Sequence, residues 1–192
     1  MDILKDTYPF SILDDPHFSQ LISYAQTKKY EKNTILISQG DIANNIIFLK
    51  SGIVSSVYEK GSKKFIRDFY FEPLIFTEQE SFVKRKPARF SIVSVTDITC
   101  ELISFNDLET AYNEIPYLRK VAYELLLNGF INISNRLESL LTLNPEQRYL
   151  ELLNQNPKLL QNIPLKLIAS YLGVTDVALS RIRKRVSVSK IN

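Results

Sequence analysis

The spacing of apolar residues switches to a helical period at Ser104 and does not change back. Ahead of that point, from about Ile35, short β-type runs alternate with turn residues. The runs are Thr34–Ser38, Ile46–Leu49, Ile53–Tyr58, Lys64–Phe71, Arg89–Val95 and Ile98–Ile103. They are broken at Gln39-Gly40-Asp41, Lys50-Ser51-Gly52, Lys60-Gly61-Ser62 and Thr96-Asp97. Glycine is punctuation here, and a further glycine, Gly173, punctuates the helical part. Short strands recurring at about ten-residue intervals predict a small antiparallel barrel or jelly roll. Residues 1–30 are predicted to be helical and amphipathic, from the spacing of Phe18, Leu21, Ile22 and Ala25. The chain therefore reads as α+β.

After Ser104 the helices announce their own ends. Ser104-Phe-Asn-Asp107 is a capping box, in which the Ser hydroxyl accepts a backbone N–H while the Asp reaches back. A long helix is predicted from Pro116, whose missing N–H costs nothing in a first turn, to Leu141. Its apolar stripe comprises Leu118, Val121, Ala122, Leu125, Leu126, Gly129, Phe130, Ile133, Leu137, Leu140 and Leu141. That is wider than packing on one domain requires, and Gly129 lets a second backbone approach. The expected dimer seam is Leu118, Ala122, Leu125, Gly129 and Ile133. A core helix with a single partner is the alternative. Asn144-Pro145-Glu146-Gln147 starts another helix, with Asn as cap and Gln three residues on, running to about Asn156-Pro157. The expected division is residues 1–115, a connecting dimerisation helix over 116–141, and a third part over 142–192, with the boundary near Leu140–Asn144.

Scarce residues narrow the chemistry. At 192 residues the chain allows one ordinary domain or two small ones, and 45% hydrophobic with 23% charged residues excludes disorder as the main state. The longest stretch without a charge, Pro16 to Thr27, is too short to span a bilayer. The first residues lack the basic run and apolar core of a secretory signal, so the expected address is the cytoplasm. One Cys (Cys100), one His (His17) and no Trp exclude an internal disulfide, a four-thiolate zinc site and an iron–sulfur cluster held by this chain alone. No catalytic group, metal or cofactor is expected, and the chain does not read as an enzyme.

Charge is placed unevenly. Pro164 to Asn192 hold Lys166, Arg181, Arg183, Lys184, Arg185 and Lys190 against Asp176, a charge of +5 in a chain of net charge +3. A basic end on a mildly acidic body has the form of a polyanion-binding module on a carrier. Residues 165–184 fit a helix-turn-helix. Ile168 and Leu172 face the core, and Ala169 is small where the two helices cross. Gly173 supplies the turn's positive φ, and Val174 plugs the gap between the helices. Thr175 caps the second helix, which Leu179 and Ile182 hold against the first. Lys166, Thr175, Asp176, Val177, Ser180, Arg181, Lys184 and Arg185 are then the candidate DNA-contacting residues, ready for a major groove. An αα-corner without a DNA role obeys similar packing rules, but it needs no basic reading face.

In this order of parts the chain resembles the cAMP receptor protein/Fnr (Crp/Fnr) family of bacterial transcription regulators. Ile46-Ile-Phe-Leu-Lys-Ser-Gly52 is similar to the family's strand-and-turn segment. Pro87 to Ile98 is similar to its strand beside the effector pocket, which makes Arg89 and Ser91 the candidate pocket residues. Pro164 to Thr175 and Leu179 to Lys184 are similar to its helix-turn-helix. The resemblance implies a cyclic-nucleotide-binding-like β-roll, a long dimerisation helix and a C-terminal DNA-binding domain. It also implies a homodimer on a palindromic operator in double-stranded DNA, with RNA polymerase as a further partner. The roll either senses a small-molecule effector or is ligand-free. Arg181 matches the family's base-reading Arg, while Asp176 and Val177 replace an Arg and a Glu, so the target sequence differs. The family's ribose-binding Gly-Glu pair has no counterpart in Phe71 to Thr77, and Arg89 lacks the Ser that should follow it. These departures argue against cAMP, since a buried phosphate needs compensating donors. Only Val186–Asn192 are expected after the reading helix, which shortens any C-terminal wing.

A metabolite-binding adaptor acting through protein contacts is the competing class, but it needs the pocket residues absent here and does not need the basic helix. A cupin-like β-barrel enzyme needs two or three metal-binding His and has one.

Overall fold

A computed structural model describes residues 16–155 and 159–189. The first part is a roll of two four-stranded antiparallel sheets. One runs β1 (Gln26–Tyr30), β8 (Ile98–Ser104), β3 (Asn45–Ser51), β6 (Leu74–Phe76). The other runs β2 (Ile35–Ile37), β7 (Ser91–Ser94), β4 (Ile53–Lys60), β5 (Lys63–Phe71). The expected jelly-roll class is therefore present, with two additions. β1 and β6 fall outside the expected runs, and β1 corrects the helical reading of residues 26–30. Of the rest of that reading, Pro16–Ile22 is a helix, and residues 1–15 lie outside the described residues. Gly52 turns β3 into β4 with φ +95°, and a Cβ there would collide with the carbonyl oxygen of Asp97, so only glycine fits.

Helices cover one sheet. Phe18 and Leu21 of α1 (Pro16–Ile22), Leu108 and Ala111 of α3 (Phe105–Glu114), and Leu118 and Val121 of α4 (Leu118–Thr142) join Ile47, Leu49, Cys100 and Ile103 in one buried cluster. The capping box holds: Ser104 Oγ accepts from the Asp107 N–H at 3.1 Å and donates to Asp107 Oδ2 at 2.6 Å. Glu101 is the buried charge of this layer; Lys50 pairs with it at 3.0 Å, and the Thr27 hydroxyl donates to its carboxylate. A short helix, α2 (Gln79–Lys84), was not expected. The buried Glu78 carboxylate caps it by accepting from the Ser81 N–H, and Arg85 closes it in the left-handed region.

The described residues fall into two compact units that divide between Asn128 and Gly129, inside α4. The expected boundary lay a dozen or so residues later. The difference has a physical cause: the end of α4 is bound to the helices that follow. Ser139 Oγ donates to Glu151 Oε2 at 2.8 Å, and Arg136 bonds the Tyr171 carbonyl. After α4 come α5 (Pro145–Gln155), α6 (Leu159–Asn162), α7 (Leu165–Leu172) and α8 (Asp176–Ser189). The Asn144 cap is reciprocal. Asn144 Oδ1 accepts from the N–H groups of Glu146 and Gln147 at 3.0 Å each, and Gln147 Oε1 accepts from the Asn144 N–H at 2.9 Å. The expected end of α5 at Asn156-Pro157 lies outside the described residues. α8 continues to Ser189, although Val186 onwards was expected to follow the helix, so that boundary is corrected.

Candidate functional site

α7 and α8 are joined by the three residues Gly173 to Thr175. Gly173 has φ +71°, and its N–H bonds back to the carbonyls of Ala169 and Ser170. A Cβ there would meet nothing within 4 Å, so the left-handed backbone, not lack of space, demands glycine. Ile168, Ala169, Leu172, Leu179 and Ile182 are each no more than 4% exposed and form the seam between the two helices. Thr175 Oγ1 accepts from the Ala178 N–H at 3.2 Å and caps α8 as expected.

Burial leaves a face on the outside of α8. Thr175, Asp176, Val177, Ser180, Arg181, Lys184 and Arg185 are all exposed, and so is Lys166 near the start of α7. Val177, an apolar side chain, is 63% exposed. Arg183 is exposed as well and adds to the charge of the helix. Arg181 borders the space between α8 and the start of α5, lined also by Asn144, Gln147, Leu150 and Ala178. Arg185 is paired to Glu146 at 2.9 Å, so it reaches an anion only by leaving or sharing that carboxylate.

α4 has two apolar faces, and they differ from the expected seam. Leu118 is 2% exposed and belongs to the core of the roll. Leu125 is half-buried and packs against that core. Ala122 and Gly129 are half-buried too, and only Ile133 of the five expected seam residues is truly exposed. Nine large apolar side chains of α4 are between 42% and 76% exposed, and six of them, Tyr123, Leu126, Phe130, Ile133, Leu137 and Leu140, share one face. Their spacing alternates three and four residues, the a and d positions of a heptad repeat. Counting that period along the sequence would have separated them from the core-facing stripe.

The two candidate pocket residues have different surroundings and different partners. Arg89 is exposed and pairs with Glu80 at 3.5 Å; Lys84 and, behind it, Arg89 hold the Glu80 carboxyl below its ordinary pKa. Ser91 is buried, but it pairs with Val57 across the ladder and lies on the face opposite Ile92. Its Oγ accepts from the Gln39 N–H at 3.0 Å. The inner face carries Ser56, Tyr70 and Ile92. Tyr70 stacks on Phe76 with ring centroids 4.7 Å apart. Arg67 Nη1 donates to the Tyr70 hydroxyl at 3.1 Å, and its guanidinium lies 4.7 Å from the centre of the Phe90 ring. Burial raises the Tyr70 pKa. No residue-type signal in the sequence marks this aromatic and guanidinium cluster. Among the described residues no group of three or more His, Cys, Asp or Glu is placed to hold a metal ion, and no helix is long and apolar enough to cross a membrane.

Residues 27–114 match the cyclic nucleotide-binding domain family. No curated protein sequence matches the chain. Among solved structures, the chain is similar to the c-di-GMP responsive global regulator CLP of Xanthomonas campestris, at 15% identity and TM-score 0.74, over 91% of this chain and 92% of that one. It is similar to FixK2 of Bradyrhizobium japonicum at 16% identity and TM-score 0.75, over 87% and 86%. A CooA mutant of Carboxydothermus hydrogenoformans aligns at 17% identity and TM-score 0.72, over 98% and 85%. At such identities the likeness is one of fold. Residues 27–114 thus have the β-roll of the cyclic nucleotide-binding domain family, followed by a long helix in an α+β chain.

Proposed function

We propose that this chain is a homodimeric, sequence-specific DNA-binding regulator of transcription of the Crp/Fnr type. The observation that carries the reading is the partition of α7 and α8. Of the residues a helix-turn-helix needs inside, Ile168, Ala169, Leu172, Leu179 and Ile182 are buried and Val174 is half-buried, and the eight polar, basic or small apolar residues named for DNA are all outside. α8 is the reading helix in this proposal. Arg181 meets a base edge, Lys184 and Arg185 meet phosphates, and Lys166 and Thr175 meet the backbone beside the groove. Two copies join along the uncovered face of α4 and so present two reading helices to a palindrome. CLP is described as a global regulator linking cell-cell signalling to virulence gene expression, which supports a regulatory role by analogy of fold. Residues 1–115 serve as the roll, with no cAMP site, and residues 142–192 as the DNA-binding part. Selection of bound sequences from random double-stranded DNA tests this. A two-fold symmetric motif is expected, and recovery of no enriched sequence, with retention on DNA lost at moderate salt, overturns it.

A further inference from the structure

Two arginines of the C-terminal unit spend their hydrogen bonds on backbone carbonyls. Arg148, the fourth residue of α5, donates through Nε and Nη2 to the Leu172 carbonyl oxygen at 3.2 and 2.9 Å. Its Nη1 donates to the Leu143 carbonyl oxygen at 2.6 Å. Leu172 is the last residue of α7, and Leu143 is the first after α4. One guanidinium therefore ties the carboxyl ends of two helices, where carbonyls lack partners in their own helix and the dipole is negative. Arg136, near the end of α4, lies 3.9 Å from the centre of the Tyr171 ring, and its Nη2 donates to the Tyr171 carbonyl oxygen. Its Nε is buried with no hydrogen-bond partner. Among the described residues neither arginine has a carboxylate partner within ion-pair distance. Burial, and then the charge of Arg136, lower the Arg148 pKa. Two like charges that repel each other, with a buried donor unanswered, are an expensive way to fill space. What the pair does supply is a planar fork that fixes the position of the residues just ahead of Gly173.

We propose that Arg148, assisted by Arg136, is a positioning residue for DNA recognition: it fixes the carboxyl end of α7, and so the direction in which α8 leaves the turn, without itself touching DNA. The inference rests on the DNA-binding reading above. Arg181 stands six residues after Thr175, about 9 Å along the helix axis, so a tilt of about 10° at the turn displaces it by about 1.5 Å, half a hydrogen-bond length. Such a tilt spoils base contacts and leaves diffuse phosphate attraction intact. The same clasp binds the end of α4 to the helices after it, so the seam residues Phe130, Ile133, Leu137 and Leu140 fall in the same compact unit as the reading helix.

The test uses the full chain with Arg148→Met and Arg148→Lys, titrated at several salt concentrations on the selected operator and on scrambled DNA. Amide exchange at Gly173 and Val174 is measured in parallel. Arg148→Met is expected to lower the operator-to-scrambled affinity ratio about tenfold or more, as a misplaced base contact does. The scrambled affinity and the salt slope should hold, and the two amides should exchange faster. Arg148→Lys, which reaches one carbonyl at a time, should fall between. An unchanged ratio overturns the proposal. So does equal loss on both DNAs with a salt slope shallower by about one, because Arg148 then contacts a phosphate. If Arg148→Met does not fold, Arg148→Lys with Arg136→Met gives the same readouts. Wild-type protein with no DNA affinity refutes the regulator reading instead. In that event unchanged exchange at Gly173 and Val174 separately overturns the clasp.

Discussion

Replacing Phe130 by Asp is expected to turn a dimer into a monomer without unfolding it. Phe130 is 67% exposed in the single chain and sits midway along the uncovered heptad face of α4. Fully burying a Phe side chain is worth about 1.5–3 kcal/mol, so covering the exposed two thirds gives about 1–2 kcal/mol per copy. A symmetric pair loses both, about 2–4 kcal/mol, which weakens the dimer by about 30- to 700-fold in Kd. Two carboxylates facing each other across the seam add repulsion to that loss. Leu125 provides the contrast. It lies a few residues away, but it packs against the core of the roll, so Leu125→Asp should lower Tm before it alters assembly. Sedimentation equilibrium over a range of loading concentrations, with thermal melts of both variants, separates the two. A Phe130→Asp protein with the wild-type dimer Kd refutes the assignment of the seam. Wild-type protein that sediments as a monomer at its highest soluble concentration refutes the dimer itself.

Three further outcomes are expected. Calorimetry with cAMP and with cGMP should show no binding, because Arg89 lies outside with Glu80 and Tyr70 and Phe76 stack in the core of the roll; micromolar affinity for either nucleotide overturns this. The Cys100 thiol is pushed up to about 11, first by burial and then by the Glu101 charge, so alkylation of native protein at pH 8 should run about a hundredfold slower than after unfolding. Because the fold favours the neutral thiol, its contribution to stability is complete below pH about 9 and is lost as pH rises towards 11. Cys100→Ala should flatten that part of the Tm profile, and an unchanged profile speaks against it. Arg181→Ala should cost about 1–3 kcal/mol on the selected operator and relax preference at one base pair per half-site, whereas Lys184→Ala should weaken all sequences alike and make the salt slope shallower by about one per subunit. Equal loss on operator and scrambled DNA for Arg181→Ala shows that it does not read a base.

What the sequence makes legible is what local rules produce. The two capping boxes, Ser104 with Asp107 and Asn144 with Gln147, are bonds between neighbours along the chain, and both are present. The turn at Gly52 and the turn at Gly173 are local backbone conformations marked by the one residue that tolerates them. β1 is different. Gln26-Thr-Lys-Lys-Tyr30 is exposed at all but its last residue, so it has no alternation to detect, and it is a strand because β8 offers it a ladder of backbone bonds. β6 is three residues long and depends on β3 in the same way. α2 is six residues long, and the carboxylate that starts it, Glu78, is buried, where a charged residue is not expected.

The helix pair was legible for a related reason: the small Ala169, the turn glycine and the Thr cap each answer a constraint within about ten residues. Arg148 has no such marker. Its acceptors are the carbonyls of Leu143 and Leu172, and a carbonyl is the same whatever side chain stands beside it, so no pattern of residue types can point to the contact. α4 shows the opposite failure, too much signal rather than too little. Its apolar residues follow two registers at once, Leu118, Val121 and Leu125 towards the roll and Tyr123, Leu126, Phe130, Ile133, Leu137 and Leu140 away from it. Read as one stripe they give a single seam, Leu118, Ala122, Leu125, Gly129 and Ile133, that mixes the two registers. Burial separates them, since one register is answered inside the chain and the other is not. Six large apolar side chains in coiled-coil register, left uncovered along one helix, are a surface that water disfavours and an identical helix fits. That is the surface on which the proposed pairing of two copies rests.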